Sequence, residues 1–191
     1  VDVILTGIEI TKQPTKTSYY VDSTTLDITG LEVTGTYNNG SSKKETVSLS
    51  NITGFNTITS GEKTLTVTVS GKTATFKVMV VDVILTGITV AKQPTKTSYY
   101  VGSTTLDITG LEVTGTYNNG SSKLETVSLS NITGFDTTTS GEKTLTITET
   151  GKKATFKVTV VDVILTGIEI TKQPTKTSYY VGDTTTHKTA L

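Results

Sequence analysis

The side chains best suited to chemistry here are few, and they recur at a fixed spacing. Two adjacent tyrosine pairs, Tyr19-Tyr20 and Tyr99-Tyr100, lie 80 residues apart. Exposed tyrosines can stack on sugar rings, so these four residues are the candidate ligand-binding set, with a glycan as the candidate ligand. On a strand, however, neighbouring side chains point to opposite faces, so only one ring of each pair can face a core. Lys12, Lys16, Asn51 and Glu32 supply the ingredients of a Lys–Asn isopeptide cross-link. That chemistry needs a buried acid with a raised pKa, whereas Glu32 alternates with inward residues and is expected to face water. Asp2, Asp82 and Asp162 stand at successive repeat starts, with Asp22 and Asp27 downstream, but they lack the dense oxygen-rich loop that calcium demands. Asp22 is also replaced by Gly102 in the second copy.

Other chemistries are poorly served. His187 is the only histidine and there is no cysteine, which excludes disulfides and leaves no set of zinc ligands. Asn39-Gly40-Ser41 and Asn51-Ile52-Thr53 fit the glycosylation sequon, a short pattern read as a chance match. No Ser/His/Asp set, phosphate loop or paired-carboxylate motif stands out, so no catalytic residue, metal site or cofactor is expected and the chain is read as a non-enzyme. The 17 basic residues, all Lys, balance 17 acidic ones. Zero net charge and the absence of Arg argue against nucleic acid. No apolar run reaches 18 residues, which argues against membrane insertion. The first residue is Val, so the chain is read as a piece of something longer or a processed product.

The elements that must position these residues follow from an internal repeat. Residues 1–80 and 81–160 agree at roughly 68 of 80 positions, and Val161–Val181 repeats Val1–Val21 letter for letter. A unit this long is an autonomous bead rather than a turn of a solenoid. The expected organisation is therefore two domains, 1–80 and 81–160, and a partial third repeat, 161–191, too short for a core of its own. Thr makes up about a quarter of the chain, with Val, Ile and Tyr behind it, a strand-forming composition.

Within one unit, short alternating runs are separated by turn residues. Ile8 and Ile10 share a face. Pro14 interrupts the ladder. Leu26 and Ile28 alternate before Gly30. Leu31, Val33 and Tyr37 face one way and run into an Asn38-Asn39-Gly40 hairpin. Glu45–Leu49 is the expected return strand, with Val47 and Leu49 inward. Asn51–Phe55 reads as a connection with one buried aromatic, and Thr57–Glu62 as a polar loop. Leu65, Val67 and Val69 then alternate with threonines, and after Ser70-Gly71 so do Ala74, Phe76, Val78 and Val80. One dry and one wet face per sheet predicts an all-β sandwich in each unit.

Differences between the copies support this. Outward sites change radically (Glu9 to Thr89, Thr73 to Lys153, Met79 to Thr159) and inward sites mildly (Ile10 to Val90, Val67 to Ile147). Val69 becomes Glu149, which places that site at the open end of its strand, and Lys44 to Leu124 suits a hairpin flank. Phe76–Val83 runs from one copy into the next without Gly, Ser or Pro, so a restricted angle between neighbours and a rod-like arrangement are expected.

Several segments in order resemble bacterial immunoglobulin-like domains of group 3: Ile10–Val21, Leu26–Val33, Tyr37–Gly40, Ile52–Phe55 and Gly71–Val78. The resemblance covers both full copies and the opening of the third, which leaves the pattern after Gly182. It implies tandem immunoglobulin-like sandwiches and an extracellular or cell-surface setting, read as that of a Gram-positive bacterium. The leading expectation is a structural spacer or stalk, partnered by other domains of the same parent protein. Two alternatives are an adhesin or glycan-binding module, and an extracellular filament subunit in which residues 161–181 donate a strand to a neighbouring chain.

Overall fold

The computed structural model describes residues 1–184, so His187 and the end of the divergent tail lie outside the described residues. Seven strands fall within residues 5–81 and seven more within 85–161. The first set is β1 (Leu5–Lys12), β2 (Ser18–Tyr20), β3 (Glu32–Tyr37), β4 (Ser42–Glu45), β5 (Ile52–Thr53), β6 (Gly61–Val69) and β7 (Lys72–Val81). The second set repeats it: β8 (Leu85–Lys92), β9 (Ser98–Tyr100), β10 (Glu112–Tyr117), β11 (Ser122–Glu125), β12 (Ile132–Thr133), β13 (Gly141–Glu149) and β14 (Lys152–Val161).

Each set builds two sheets. In the first module these are β1-β3-β4 and β2-β7-β6-β5; in the second, β8-β10-β11 and β9-β14-β13-β12. The sandwich architecture is therefore present in both. All pairings are antiparallel except β2 with β7 and β9 with β14, which run parallel. The chain reaches that parallel position by crossing between layers at Pro14 and Pro94, both buried in the gap between the first and second strands of their modules. Proline there needs no ladder partner, having no N–H to donate.

The core lies between the layers. Tyr19, Val33, Leu65, Val67, Phe76 and Val78 are buried in the first module. Tyr99, Val113, Leu145, Ile147, Phe156 and Val158 repeat them in the second, joined by Ile88. Tyr19 meets Phe55 edge to face at 5.0 Å, and Tyr99 meets Phe135 at 4.9 Å, an arrangement favoured by the ring quadrupoles. The long hairpin β6–β7 pairs from Gly61↔Val80 to Val69↔Lys72 without a slip, so its alternation survives intact. Its threonines face out and its aliphatics face in.

Three expectations need correction. The return strand after the Asn-Gly hairpin is Ser42–Glu45, not Glu45–Leu49. Pairing starts at Thr36↔Ser42 directly beyond the turn and runs out at Val33↔Glu45. Beyond it, Ser48 N–H donates to Asn51 Oδ1 at 2.9 Å and Ser48 Oγ to the same oxygen at 3.0 Å. These local bonds compete with a ladder and close a single 3-10 turn over Leu49–Asn51. Leu49 is thereby turned out, 54% exposed rather than inward. Leu26 and Ile28 form no strand either, although Leu26 packs on the core. The Tyr19 phenol occupies the backbone of Asp27 instead, accepting from its N–H and donating to its carbonyl, both at 3.1 Å. Finally, the loop at Thr57–Glu62 is partly strand and partly buried: β6 begins at Gly61, and Thr57 is buried with its hydroxyl donating to Ser23 O at 2.7 Å.

Candidate functional site

The structure separates the members of each tyrosine pair. Tyr19 and Tyr99 are core residues, 1% and 2% exposed, and their hydroxyls bond to the backbone of Asp27 and Asp107. Tyr20 and Tyr100 point the other way, but their surroundings differ. Tyr100 is 63% exposed. Tyr20 is half-buried because the second module lies against it, and its hydroxyl donates to the backbone carbonyl of Asn118 at 2.7 Å.

Asn118 is the centre of the joint. Its carboxamide Nδ2 donates to Asp82 O at 3.0 Å, and its Oδ1 accepts from Ile84 N–H at 3.0 Å. Its own N–H donates to Ile84 O at 3.1 Å. One residue thus holds both flanks of the three-residue connection between β7 and β8 and accepts Tyr20 from the preceding module. Asn38 makes the equivalent bonds to Asp2 and Ile4. By sequence alone this asparagine belongs only to a hairpin turn. In fact the residue with φ in the left-handed region is the glycine, Gly40 or Gly120. What could have marked Asn118 is its place opposite the linker, which becomes visible only once β8 is paired with β10 in register.

A polar cleft of about 670 Å³ opens beside the joint. Lys16, Tyr20 and Asp22 line it from the first module, and Tyr117, Asn119 and Lys123 from the second. The Lys123 ammonium lies 4.9 Å from the Tyr117 ring centre. The Tyr117 phenol oxygen is the main cause of its pKa being held above the usual lysine value, and Glu125 adds to it.

The other candidates are not brought together. Glu32 is partly exposed and pairs with Lys44 at 3.3 Å, Lys16 lies over the Tyr19 ring at 4.8 Å, and the Asn51 amide donates to Thr68 O at 3.2 Å. Asp27, Asp107 and Asp136 serve local turns. Hydrogen bonds from Thr29, Thr109 and Thr138 stabilise their ionised forms and lower their pKa values. Among the described residues no three His, Cys, Asp or Glu side chains converge on a metal-sized site, and no helix is long and apolar enough to cross a membrane.

Serial β-sandwiches joined by a repeated asparagine clasp are the class of protein these features define. The family model for the bacterial Ig-like domain (group 3) matches residues 12–80 and 92–160, and the chain belongs to that family. It is similar to part of pectate lyase L of Thermoclostridium stercorarium, 37% identical over 160 residues that are 83% of this chain and 13% of that protein. It is also similar to part of the exo-beta-1,6-galactobiohydrolase of Bifidobacterium longum subsp. longum, 44% identical over 72 residues, 35% of this chain and 5% of that one. The chain therefore spans a small fraction of the curated relatives it matches. Among solved structures, the S-layer protein rSbsC(31-844) is 17% identical with a TM-score of 0.34, covering 85% of this chain and 29% of that one. Domains 4 and 5 of SbsC are 17% identical with a TM-score of 0.31, covering 84% and 99%.

Proposed function

We propose that this chain is a spacer segment of an extracellular or cell-surface protein of a Gram-positive bacterium, holding other domains of its parent at a fixed distance and angle without catalysing a reaction. The observation that carries this reading is the joint. A connection of three residues, Asp82–Ile84, is tied at both ends to Asn118, and Tyr20 adds a bond across the modules. Flexible linkers offer no such partners. A fold stapled without cysteine suits the same role, since its stability depends on core packing and not on redox conditions. Membership of the family and partial likeness to two large carbohydrate-active enzymes fit a module that accompanies other domains. Small-angle scattering of the chain in solution tests the proposal. An elongated particle with the two modules end to end supports it, and a folded-back pair would end it.

A glycan-binding module is the second reading, favoured by the exposed ring of Tyr100 and by the polar cleft beside Tyr20. Tyr19 and Tyr99 would take no part in it, being occupied in the core. Binding of a pectic or galactan oligosaccharide that is lost in Tyr100→Ala would favour this reading over the spacer.

A further inference from the structure

In each module the strand that brings the chain in is bonded to the strand that takes it out, and the two run the same way. In the first module β2 and β7 pair parallel through Ser18↔Met79, Tyr19↔Val80 and Tyr20↔Val81. Met79 N–H donates to Thr17 O at 2.8 Å at one end of this ladder, and Val21 N–H donates to Val81 O at 2.9 Å at the other. In the second module β9 and β14 repeat the pairing from Ser98↔Thr159 to Tyr100↔Val161. Thr159 N–H to Thr97 O at 2.8 Å and Val101 N–H to Val161 O at 2.9 Å close its two ends.

Entry and exit lie at opposite ends of a module. The second module meets the first at Asn118, beside its entry at Ile84, and takes the hydroxyl of Tyr20, whose strand partner is the exit residue Val81. Its own Tyr100, paired with its exit residue Val161, is turned away from the first module and exposed.

We propose that the parallel pairs β2–β7 and β9–β14 are load-bearing clamps, so that the chain carries tension along its length as well as setting a distance. The proposal rests on the spacer reading, since only a tethering segment is placed under load. Tension draws β1 and β2 back toward the entry and β7 out through the exit. Parallel strands pulled from opposite ends slide along their own axes, so every bond between them bears the load at once. Strands pulled apart from a shared end would instead lose their bonds one at a time.

A ladder of three residues would slip easily if its strand were not pinned. Tyr19, the middle residue of β2, is the pin. Its ring is buried and packs edge to face on Phe55, and its phenol holds both the N–H and the carbonyl of Asp27. Sliding β2 along β7 therefore drags a ring out of the core and leaves a peptide unpartnered. Tyr99, Phe135 and Asp107 form the same pin in the second module. The neighbouring β1–β3 ladder slips register twice, between Leu5 and Gly7 and between Ile10 and Lys12, and it joins β1 to an internal strand rather than to the exit. Resistance of this kind depends on which contacts must break first, so it is distinct from equilibrium stability.

The test is single-molecule force spectroscopy on the full chain, with the first module loaded in two directions. The chain has no cysteine, so handles attach only where thiols are introduced. Asp2→Cys with Asp82→Cys pulls the module from entry to exit and shears the clamp. Thr24→Cys with Asp82→Cys places both handles at the exit, because Thr24 lines the cleft at the joint, and peels β2 from β7. All three sites are exposed, and the core is the same in both variants. At equal load the peeled module is expected to unfold at least about a hundredfold faster, because bonds of the ladder then break singly. Val21→Pro, which deletes the bond to Val81 O, is expected to unfold about fivefold faster under the entry-to-exit load. Equal unfolding rates in the two directions, or no change of rate in Val21→Pro, would overturn the clamp. An elongated particle in scattering with equal rates leaves a spacer that resists no load, whereas a folded-back pair ends the spacer reading whatever the rates.

Discussion

At the scale of single residues, the turn between β6 and β7 shows what the fold asks and how the two copies answer it. Ser70 and Gly71 both take positive φ, 46° and 77°, and Thr150 and Gly151 do the same at 46° and 75°. Two successive left-handed residues make the tight turn that suits the twist of a hairpin, and Asn-Gly fills it best. Thr150 is β-branched, so its Cβ substituents crowd the backbone in that region. The same logic explains Asp22, whose φ is 65°, and its replacement by Gly102 at 84°: aspartate tolerates the conformation and glycine accepts it freely. Thr150→Asn is therefore expected to stabilise the second module by about 0.5–1 kcal/mol. That corresponds to a rise of several degrees in the melting temperature of a module this size. An unchanged or lowered transition in calorimetry would show that the threonine is not strained there. Val69 to Glu149 is explained at the same place. The site is the last residue of its strand, and the glutamate accepts from the Asn131 amide at 3.0 Å, so its charge stays at the open edge of the sandwich.

At the scale of elements, the readable parts were those set by strict alternation. The β6–β7 hairpin, the face shared by Ile8 and Ile10, and the inward Val33 follow from period-two patterning alone. The pieces that escaped are governed by bonds between a side chain and a distant backbone. Leu26 and Ile28 alternate like a strand, but the Tyr19 phenol takes the Asp27 peptide, and the Asp27 carboxylate accepts from Thr29 N–H at 2.9 Å. Nothing in the local pattern announces a partner eight residues upstream. The parallel pairing of β2 was equally hidden, because three residues carry too little periodicity to assign a sheet. Tyr19→Phe is therefore expected to leave the aromatic packing on Phe55 in place while removing both bonds to Asp27. A cost of about 1–3 kcal/mol to the first module is expected from the stranded peptide. Hydrogen exchange should locate it: the Asp27 amide loses protection, while amides in β6 exchange only with global unfolding. Equal protection in both proteins would mean that the phenol is incidental. The site was legible in part for the same reason. Alternation showed that one tyrosine of each pair must face out, but only the register of β8 against β10 reveals that Tyr20 meets a carbonyl of the next module.

At the scale of the whole molecule, the central quantity is the freedom of one module relative to the next. The two modules share no core; their clusters are separate. Without the clasp they would be two stable bodies on a short tether, and domain motion would be the default. What restricts them is a small number of bonds converging on Asn118, which tie the connection to the second module and take the Tyr20 hydroxyl from the first. None of them involves a side chain of either core cluster except through its neighbours in sequence. Stability and stiffness should therefore come apart on mutation. Asn118→Ala combined with Tyr20→Phe removes the carboxamide bonds to Asp82 and Ile84 and the hydroxyl bond across the joint, but leaves every core residue in place. Each module should melt within about 0.5 kcal/mol of its original stability, as for other substitutions outside a core. The distance between spin labels at Thr73→Cys and Thr155→Cys, both exposed, should nevertheless change from one narrow distribution to a broad one. A distribution that stays narrow would locate the stiffness in the apolar connection itself. One that is broad already in the parent chain would remove the physical basis for a spacer, because a bead that swings freely sets no distance.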